Sequence, residues 1–247
     1  MERITARSNP LLMHGKKLAA SSAYRRECGE FLCDSPKLLE EAIKWQAAIT
    51  TIISTDGTEL DGVRCVTVPE DVMASVSPMK TPQGVLFTCK MPTVKVPEKL
   101  DGVRYVVLDG VQDPGNVGTV LRTLDAFDGD GLILLQGCAD IYSPKTVRAT
   151  MGAIFRRPVY TMTAGEMKAL LVRSGIPLYG AALRDDTVDA REVDYRPSAM
   201  AIGSEGRGLT DEVLALCDKT IRIPMSTRCE SLNAAIAASV LLWESFR

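Results

Sequence analysis

Three stretches of the chain place polar side chains among glycines just after apolar runs, where strand ends would expose them to a ligand. The first is Asp109-Gly-Val-Gln-Asp-Pro-Gly-Asn-Val-Gly-Thr-Val-Leu-Arg122. Asp113-Pro114-Gly115-Asn116 is tight-turn chemistry that needs no functional explanation. Arg122 falls about one turn into a helix that opens at Gly118, a position where a glycine lets a substrate backbone come close. An arginine on a helix is ordinarily solvated surface, so both readings stand. The second stretch, Ile202-Gly-Ser-Glu-Gly-Arg-Gly-Leu209, sets Glu205 among three glycines. It is neither a Gly-x-Gly-x-x-Gly turn nor a Walker loop, and a carboxylate there suits a ligand carrying donors better than a phosphate. The third runs from Ile221 to Trp243, with Glu230, Ser231 and Asn233 at the start of a helix rich in Ala and Ser. Plain helix capping accounts for those three residues equally well. With His14 the one histidine, any chemistry must run largely without imidazole.

Taken together, the three stretches resemble the signature motifs of the SpoU family of RNA ribose methyltransferases. Residues 104–127 are similar to the first motif, with Asn116, Gly118 and Arg122 in place; residues 199–209 to the second, with Gly203, Glu205 and Gly208. Residues 221–243 resemble the third, with Pro224, Glu230, Ser231 and Asn233, although Thr227 stands where the family pattern has glycine. Tyr142 to Phe155 is similar to a further family segment, and Ile4 to Ala42 resembles the ribosomal-protein-like substrate-binding domain that many members carry.

The resemblance implies S-adenosylmethionine as cofactor, bent into a pocket formed by the second and third loops. Gly203, Glu205, Gly206, Ile223, Met225, Ser231 and Leu232 are the implied cofactor contacts, mostly through backbone groups. Arg122, Asn116, Glu205, Ser231 and Asn233 are the implied catalytic set. An arginine is essentially always protonated, so Arg122 is expected to clamp the phosphate beside the reacting 2′-hydroxyl rather than take its proton. Asn116, Ser231 and Asn233 would orient the ribose and the loop. The resemblance also implies a deep trefoil knot, which runs against the rule that chains do not thread loops and which no periodicity announces.

The elements that must position these residues alternate along the chain. Ser8-Asn9-Pro10 opens a helix running to about Ala23, Glu30 to Cys33 reads as a strand, and Ser35-Pro36 opens a helix through Trp45. Strands are expected at 48–53, 63–68 and 85–89, with a short helix at 70–76 between the last two. Residues 90–101, with two prolines and little helical period, read as a linker, which divides the chain into an RNA substrate-binding domain at 1–95 and a catalytic domain at 96–247. Beyond it strands at 104–109, 132–135, 158–161, 176–182, 199–202 and 220–223 alternate with helices at 118–127, 143–152, 165–174, 209–217 and 230–246. The expected fold is therefore α/β, with a mostly parallel catalytic sheet covered on both faces.

Charge is distributed unevenly along a chain of formal net charge −2. Residues 1–26 carry Arg3, Arg7, Lys16, Lys17, Arg25 and Arg26 against Glu2 alone, whereas residues 185–218 carry nine acids. One end could meet RNA phosphates, though such a run is commonly just a solvated face. The seven cysteines are scattered without a Cys-x-x-Cys pair, so reduced, mostly buried thiols are expected and no metal site. No stretch is long and apolar enough for a membrane span and no secretory signal is visible, which together lead to a cytoplasmic expectation. The expected partners are RNA, ribosomal rather than transfer RNA because of the front domain, and a second copy of the chain through the alanine-rich face of helix 230–246. A catalytically inactive RNA-binding protein of the same fold is the rival reading; it would be expected to have lost Arg122, Glu205 or Asn233, and all three are present.

Overall fold

The computed structural model describes every residue except Met1, Asp185, Thr227, Cys229 and Glu230. Two compact units are present, one formed by Met1–Thr93 with Asp140–Phe155 and the other by Val94–Ala139 with Arg156–Arg247. This differs from a division into 1–95 and 96–247, because Asp140–Phe155 joins the first unit, a return that nothing in composition announces.

In the first unit, strands β1 (Glu2–Arg3), β2 (Glu30–Asp34), β3 (Ile49–Ser54), β4 (Arg64–Thr67) and β5 (Val85–Lys90) form a sheet in the order β1-β4-β3-β5-β2. Helix α1 (Pro10–Ala20) opens as its sequence requires, with Asn9 Oδ1 accepting from Leu11 N at 2.9 Å and Pro10 in the first turn. It ends earlier than expected, because Ser21 takes an extended backbone at φ −125° and caps a separate helix, α2 (Ser22–Cys28). Helices α3 (Pro36–Lys44) and α4 (Glu70–Val76) complete the 1–93 portion. Leu12, Leu18, Leu32, Ile53, Val66, Met73 and Leu86 make the core. The returning segment carries α6 (Pro144–Thr150), the sixth helix in chain order.

Arg25 and Arg7, from the basic run at the start of the chain, are paired with carboxylates within the unit. Arg25 is 3% exposed, donates to the Leu18 carbonyl and pairs with Asp140 at 2.6 Å, so it cannot meet a phosphate as its position in the basic run suggested. Arg7 pairs with Asp71 at 2.7 Å. His14, the one histidine, is held between the Tyr24 hydroxyl and Glu30 Oε2, each at 2.9 Å. The returning segment is fastened by Asp140 to Arg25, by Arg148 to the buried Asp34, and by the rings of Tyr142 and Phe155, 4.9 and 6.4 Å from Phe31.

The second unit is built on a seven-stranded sheet. Its strands are β6 (Arg104–Asp109), β7 (Gly131–Leu134), β8 (Val159–Thr161), β9 (Leu178–Ala181), β10 (Val188–Asp189), β11 (Ser198–Gly203) and β12 (Lys219–Arg222). They lie in the order β10-β12-β9-β11-β6-β7-β8, and every pairing is parallel. Near-continuous apolar strands such as Tyr105-Val-Val-Leu108 fit a sheet covered on both faces. Helices α7 (Ala164–Ser174) and α8 (Asp211–Leu216) pack Met167, Leu170, Leu171 and Val213 against Tyr105, Val107, Ala199 and Ala201 on one face. Helices α5 (Pro114–Ala126) and α9 (Ala234–Phe246) pack together, α5 against β6 and β7 and α9 against β11.

Both helices that carry motif residues begin elsewhere than expected. Asp113-Pro114-Gly115-Asn116 is the first turn of α5 and not a free-standing turn: Asp113 Oδ1 accepts from Gly115 N and Asn116 N at 2.6 and 3.1 Å. Arg122 therefore sits about two turns into α5 and not one. At the other end, α9 starts at Ala234 and its cap is Asn233, whose Oδ1 accepts from Ala235 N and Ile236 N at 3.0 and 3.2 Å. Ser231 lies before the helix, while Glu230 and Thr227 fall outside the described residues. Among the described residues no helix is long and apolar enough to cross a membrane.

Candidate active site

The strand order reverses at β6. From there the chain builds outward through β7 and β8, then returns to lay β9, β11 and β12 on the opposite side. Such a switch point leaves a crevice at the carboxyl ends of the flanking strands. Those ends are Asp109 and Gly203, which face each other in register. Asp109 is buried, and its Oδ2 accepts from Thr210 N at 2.7 Å. That bond fixes the exit of the loop after β11.

The loop itself is a tight hairpin, with Ser204 N donating to Gly208 O at 3.1 Å and Gly208 N to Ser204 O at 2.8 Å. Two glycines make it possible. A Cβ on Gly203 would stand 2.0 Å from the Gly208 carbonyl carbon, and Gly208 itself has φ +69°. The hairpin exposes Glu205, Gly206 and Arg207 at its tip.

A cleft of about 270 Å³ opens beside the hairpin, close to the lower end of the ~300–1,000 Å³ usual for small-molecule sites. Its walls include Ala181 and Leu183 after β9, Ile202 and Gly203 of β11, Ile221 and Ile223 around β12, and Met225, Ser231 and Leu232 from the following loop. Among the described residues, the charged ones lining it are Glu205 and Arg222. This donor set fits S-adenosylmethionine. Aliphatic walls suit a flat adenine, and among the described lining residues one carboxylate, Glu205, suits a cationic sulfonium.

Of the expected cofactor contacts, Gly203, Glu205, Ile223, Met225, Ser231 and Leu232 line this cleft, whereas Gly206 lies at the hairpin tip outside its wall. The walls also include Ala181, Leu183 and Arg222, which the motif reading did not single out. The signal for them was positional: the carboxyl ends of β9 and β12 flank the same crevice.

Three of the expected catalytic residues meet at the cleft mouth. Asn116 Nδ2 donates to Glu205 Oε1, and Asn233 Nδ2 donates to Asn116 Oδ1 at 3.2 Å. One residue from each motif thus joins a single hydrogen-bonded chain. Arg122, six residues beyond Asn116, lies about 9 Å further along α5 and on another face. It is exposed and has no hydrogen bond or ion pair among the described residues. Two nearby thiols are not reactive groups: burial raises the Cys138 and Cys217 pKa values, that of Cys217 to about 11.

A cleft at the switch point of an all-parallel sheet, with polar groups converging from three loops, defines an α/β enzyme. Residues 104–243 match the SpoU rRNA methylase family. The chain is 32% identical to the 23S rRNA (guanosine(2553)-2′-O)-methyltransferase of Bacillus subtilis, over 98% of each sequence. It is 30% identical to the 23S rRNA (uridine(2479)-2′-O)-methyltransferase of Streptomyces viridochromogenes, over 99% of this chain and 92% of the relative. Its fold matches the AdoMet-bound rRNA methyltransferase from Sinorhizobium meliloti with a TM-score of 0.89 at 29% identity, covering 99% of this chain and 97% of that one. The chain belongs to the SpoU rRNA methylase family. It is an S-adenosylmethionine-dependent RNA ribose 2′-O-methyltransferase.

Proposed function

We propose that the chain methylates one ribose 2′-hydroxyl of large-subunit ribosomal RNA. Within that reading it acts in the cytoplasm as a homodimer and grips RNA through its first 95 residues. The observation that carries the proposal is the convergence of Asn116, Glu205 and Asn233 at the mouth of a cleft suited to the cofactor. The two 23S-specific relatives, alike over nearly the whole chain including the front portion, favour ribosomal over transfer RNA.

When bound, S-adenosylmethionine supplies an electrophilic methyl group on a positively charged sulfur. Backbone groups around Gly203, Ile223, Met225 and Leu232 would hold the cofactor, with Glu205 and Ser231 beside them on the cleft wall. Arg122, exposed and uncommitted, clamps a phosphate of the substrate strand and offsets charge that develops on the attacking oxygen. Asn116, Ser231 and Asn233 orient the ribose and the hairpin. The deep knot of the family belongs to the segment that carries the second and third motifs.

The alanine-rich face expected as the dimer seam is turned inwards at three positions. Ala234, Ala235 and Ala238 are buried within the subunit, and the outer face presents Ile236, Val240 and Trp243. That apolar stripe is the surface assigned to the second copy.

Mapping of 2′-O-methylated positions in RNA from cells with and without the gene tests the substrate. One large-subunit ribosomal position that loses its methyl group is the expected result. Loss confined to transfer RNA would redirect the assignment, and an unchanged map would end it.

A further inference from the structure

The hydrogen-bonded chain at the cleft mouth has a direction, and a helix end sets it. Asn233 Oδ1 must accept, because two α9 backbone N–H groups point at it. Its amide nitrogen then necessarily faces Asn116 and donates to Asn116 Oδ1. Asn116 in turn is left with only its own Nδ2–H groups to offer, and one of them goes to Glu205 Oε1. An amide can be turned over in isolation, but neither can be turned here without setting oxygen against oxygen or N–H against N–H. Glu205 is thereby constrained to accept through Oε1.

Only one Glu205 oxygen is used in this way. Oε2 takes no hydrogen bond among the described residues, and Glu205 lines the cofactor cleft. We propose that Glu205 Oε2 is the acceptor for the attacking ribose 2′-hydroxyl, and that Asn233 is a positioning residue which, through Asn116, holds that carboxylate in place. The inference rests on the methyltransferase reading of the site. The 2′-oxygen forms the new C–O bond while the methyl C–S bond breaks with its electron pair going to sulfur. The hydroxyl proton passes to Oε2, leaving a carboxylic acid that solvent then deprotonates. Arg122 keeps its separate task at the phosphate.

Two near-isosteric variants test this. Glu205→Gln preserves the acceptor for Asn116 but turns an N–H towards the substrate position. Single-turnover methyl transfer should fall by ~10²–10⁴, the range for one proton-transfer group, with unchanged melting temperature and affinity for the neutral S-adenosylhomocysteine. Asn233→Asp still caps α9, yet it can only accept, so Asn116 turns over and sets its oxygen against Glu205 Oε1. Single-turnover methyl transfer should fall with S-adenosylhomocysteine affinity unchanged, and adding Asn233→Asp to Glu205→Gln should cost no further rate, because Asn233 acts through Glu205. Wild-type turnover in Glu205→Gln would overturn the acceptor role, and losses that multiply in the double variant would overturn the positioning role. An absence of methyl transfer in the unmodified protein would instead count against the proposed function.

Discussion

Asn116 donates its side-chain amide to Glu205 although 89 residues separate them, and this bond ties the first turn of α5 to the hairpin after β11. Asn116 also accepts from Asn233, so the N-terminus of α9 enters the same arrangement. The relative placement of three motifs is thus held by side chains as well as by the sheet beneath them. Substitutions in this area should separate cleanly into those that change shape and those that change charge or polarity.

Gly203→Ala belongs to the first kind. Its new methyl group would lie 2.0 Å from the Gly208 carbonyl carbon and 2.2 Å from Leu209 N, backbone that cannot swing aside like a side chain. The hairpin must open, at a cost of ~1–3 kcal/mol typical of overpacking. Thermal unfolding should show the loss of stability, and titration calorimetry should show S-adenosylhomocysteine affinity lowered at least about tenfold, equivalent to ~1.4 kcal/mol. Unchanged affinity would mean that the hairpin backbone does not shape the cofactor site.

The outer stripe of α9 predicts an oligomer. Ile236, Val240 and Trp243 are 52%, 40% and 53% exposed, spaced to form one face of the helix. Sedimentation at micromolar concentration should give twice the 26.8 kDa chain mass, and Val240→Glu should halve it by placing a charge in the apolar seam. A monomeric unmodified protein, or a Val240→Glu variant that sediments as the unmodified dimer, would move the interface elsewhere.

Much of the architecture was legible because strands such as Arg104-Tyr-Val-Val-Leu-Asp109 and helices such as Pro36–Lys44 carry their own periodicity and caps. What escaped was non-local. Asp113-Pro-Gly-Asn is ambiguous in sequence because a tight turn and a helix N-terminus draw on the same residue types, and only the apolar positions that follow separate them. The two-residue strands β1 and β10 are too short for an alternating pattern to declare itself. Arg25 looked like its basic neighbours, since a charge count cannot see the carbonyl of Leu18 or the carboxylate of Asp140 that bury it. Alanines at 234, 235 and 238 announced close packing but not whether the partner lay inside or outside the subunit. Resemblance grouped Asn116, Glu205 and Asn233, yet which atom donates to which required the fold.

Glu30 supplies a pH test in the first unit. Burial alone would raise its pKa, but hydrogen bonds from Lys90 at 2.8 Å and His14 at 2.9 Å outweigh burial and leave it below the ordinary value. A carboxylate favoured by folding stabilises the protein above the unfolded value of ~4.3 and ceases to do so as pH falls through the lower folded value. Glu30→Gln should therefore melt below the unmodified protein at pH 7, with the difference closing as the pH is lowered below 4. A gap that stays constant across this range would mean that Glu30 contributes shape and not charge.

Arg122 separates the chemical from the structural readings most sharply. It stands exposed on α5 with no hydrogen bond or ion pair among the described residues, so nothing in the folded chain itself requires a guanidinium there. If it were only a solvated helix residue, Arg122→Ala would alter stability by no more than ~0.5 kcal/mol and leave activity untouched. As the clamp on a substrate phosphate that offsets charge on the reacting oxygen, its loss should lower single-turnover methyl transfer by ~10²–10⁴. Lysine should restore only part of that rate, because a point charge cannot reproduce the planar two-pronged contact of a guanidinium with phosphate. S-adenosylhomocysteine affinity should remain at the unmodified value, since Arg122 is not among the residues lining the cleft. Wild-type turnover in the alanine variant would remove Arg122 from the mechanism, and a loss of cofactor affinity as large as the loss of rate would place it in the cofactor site instead.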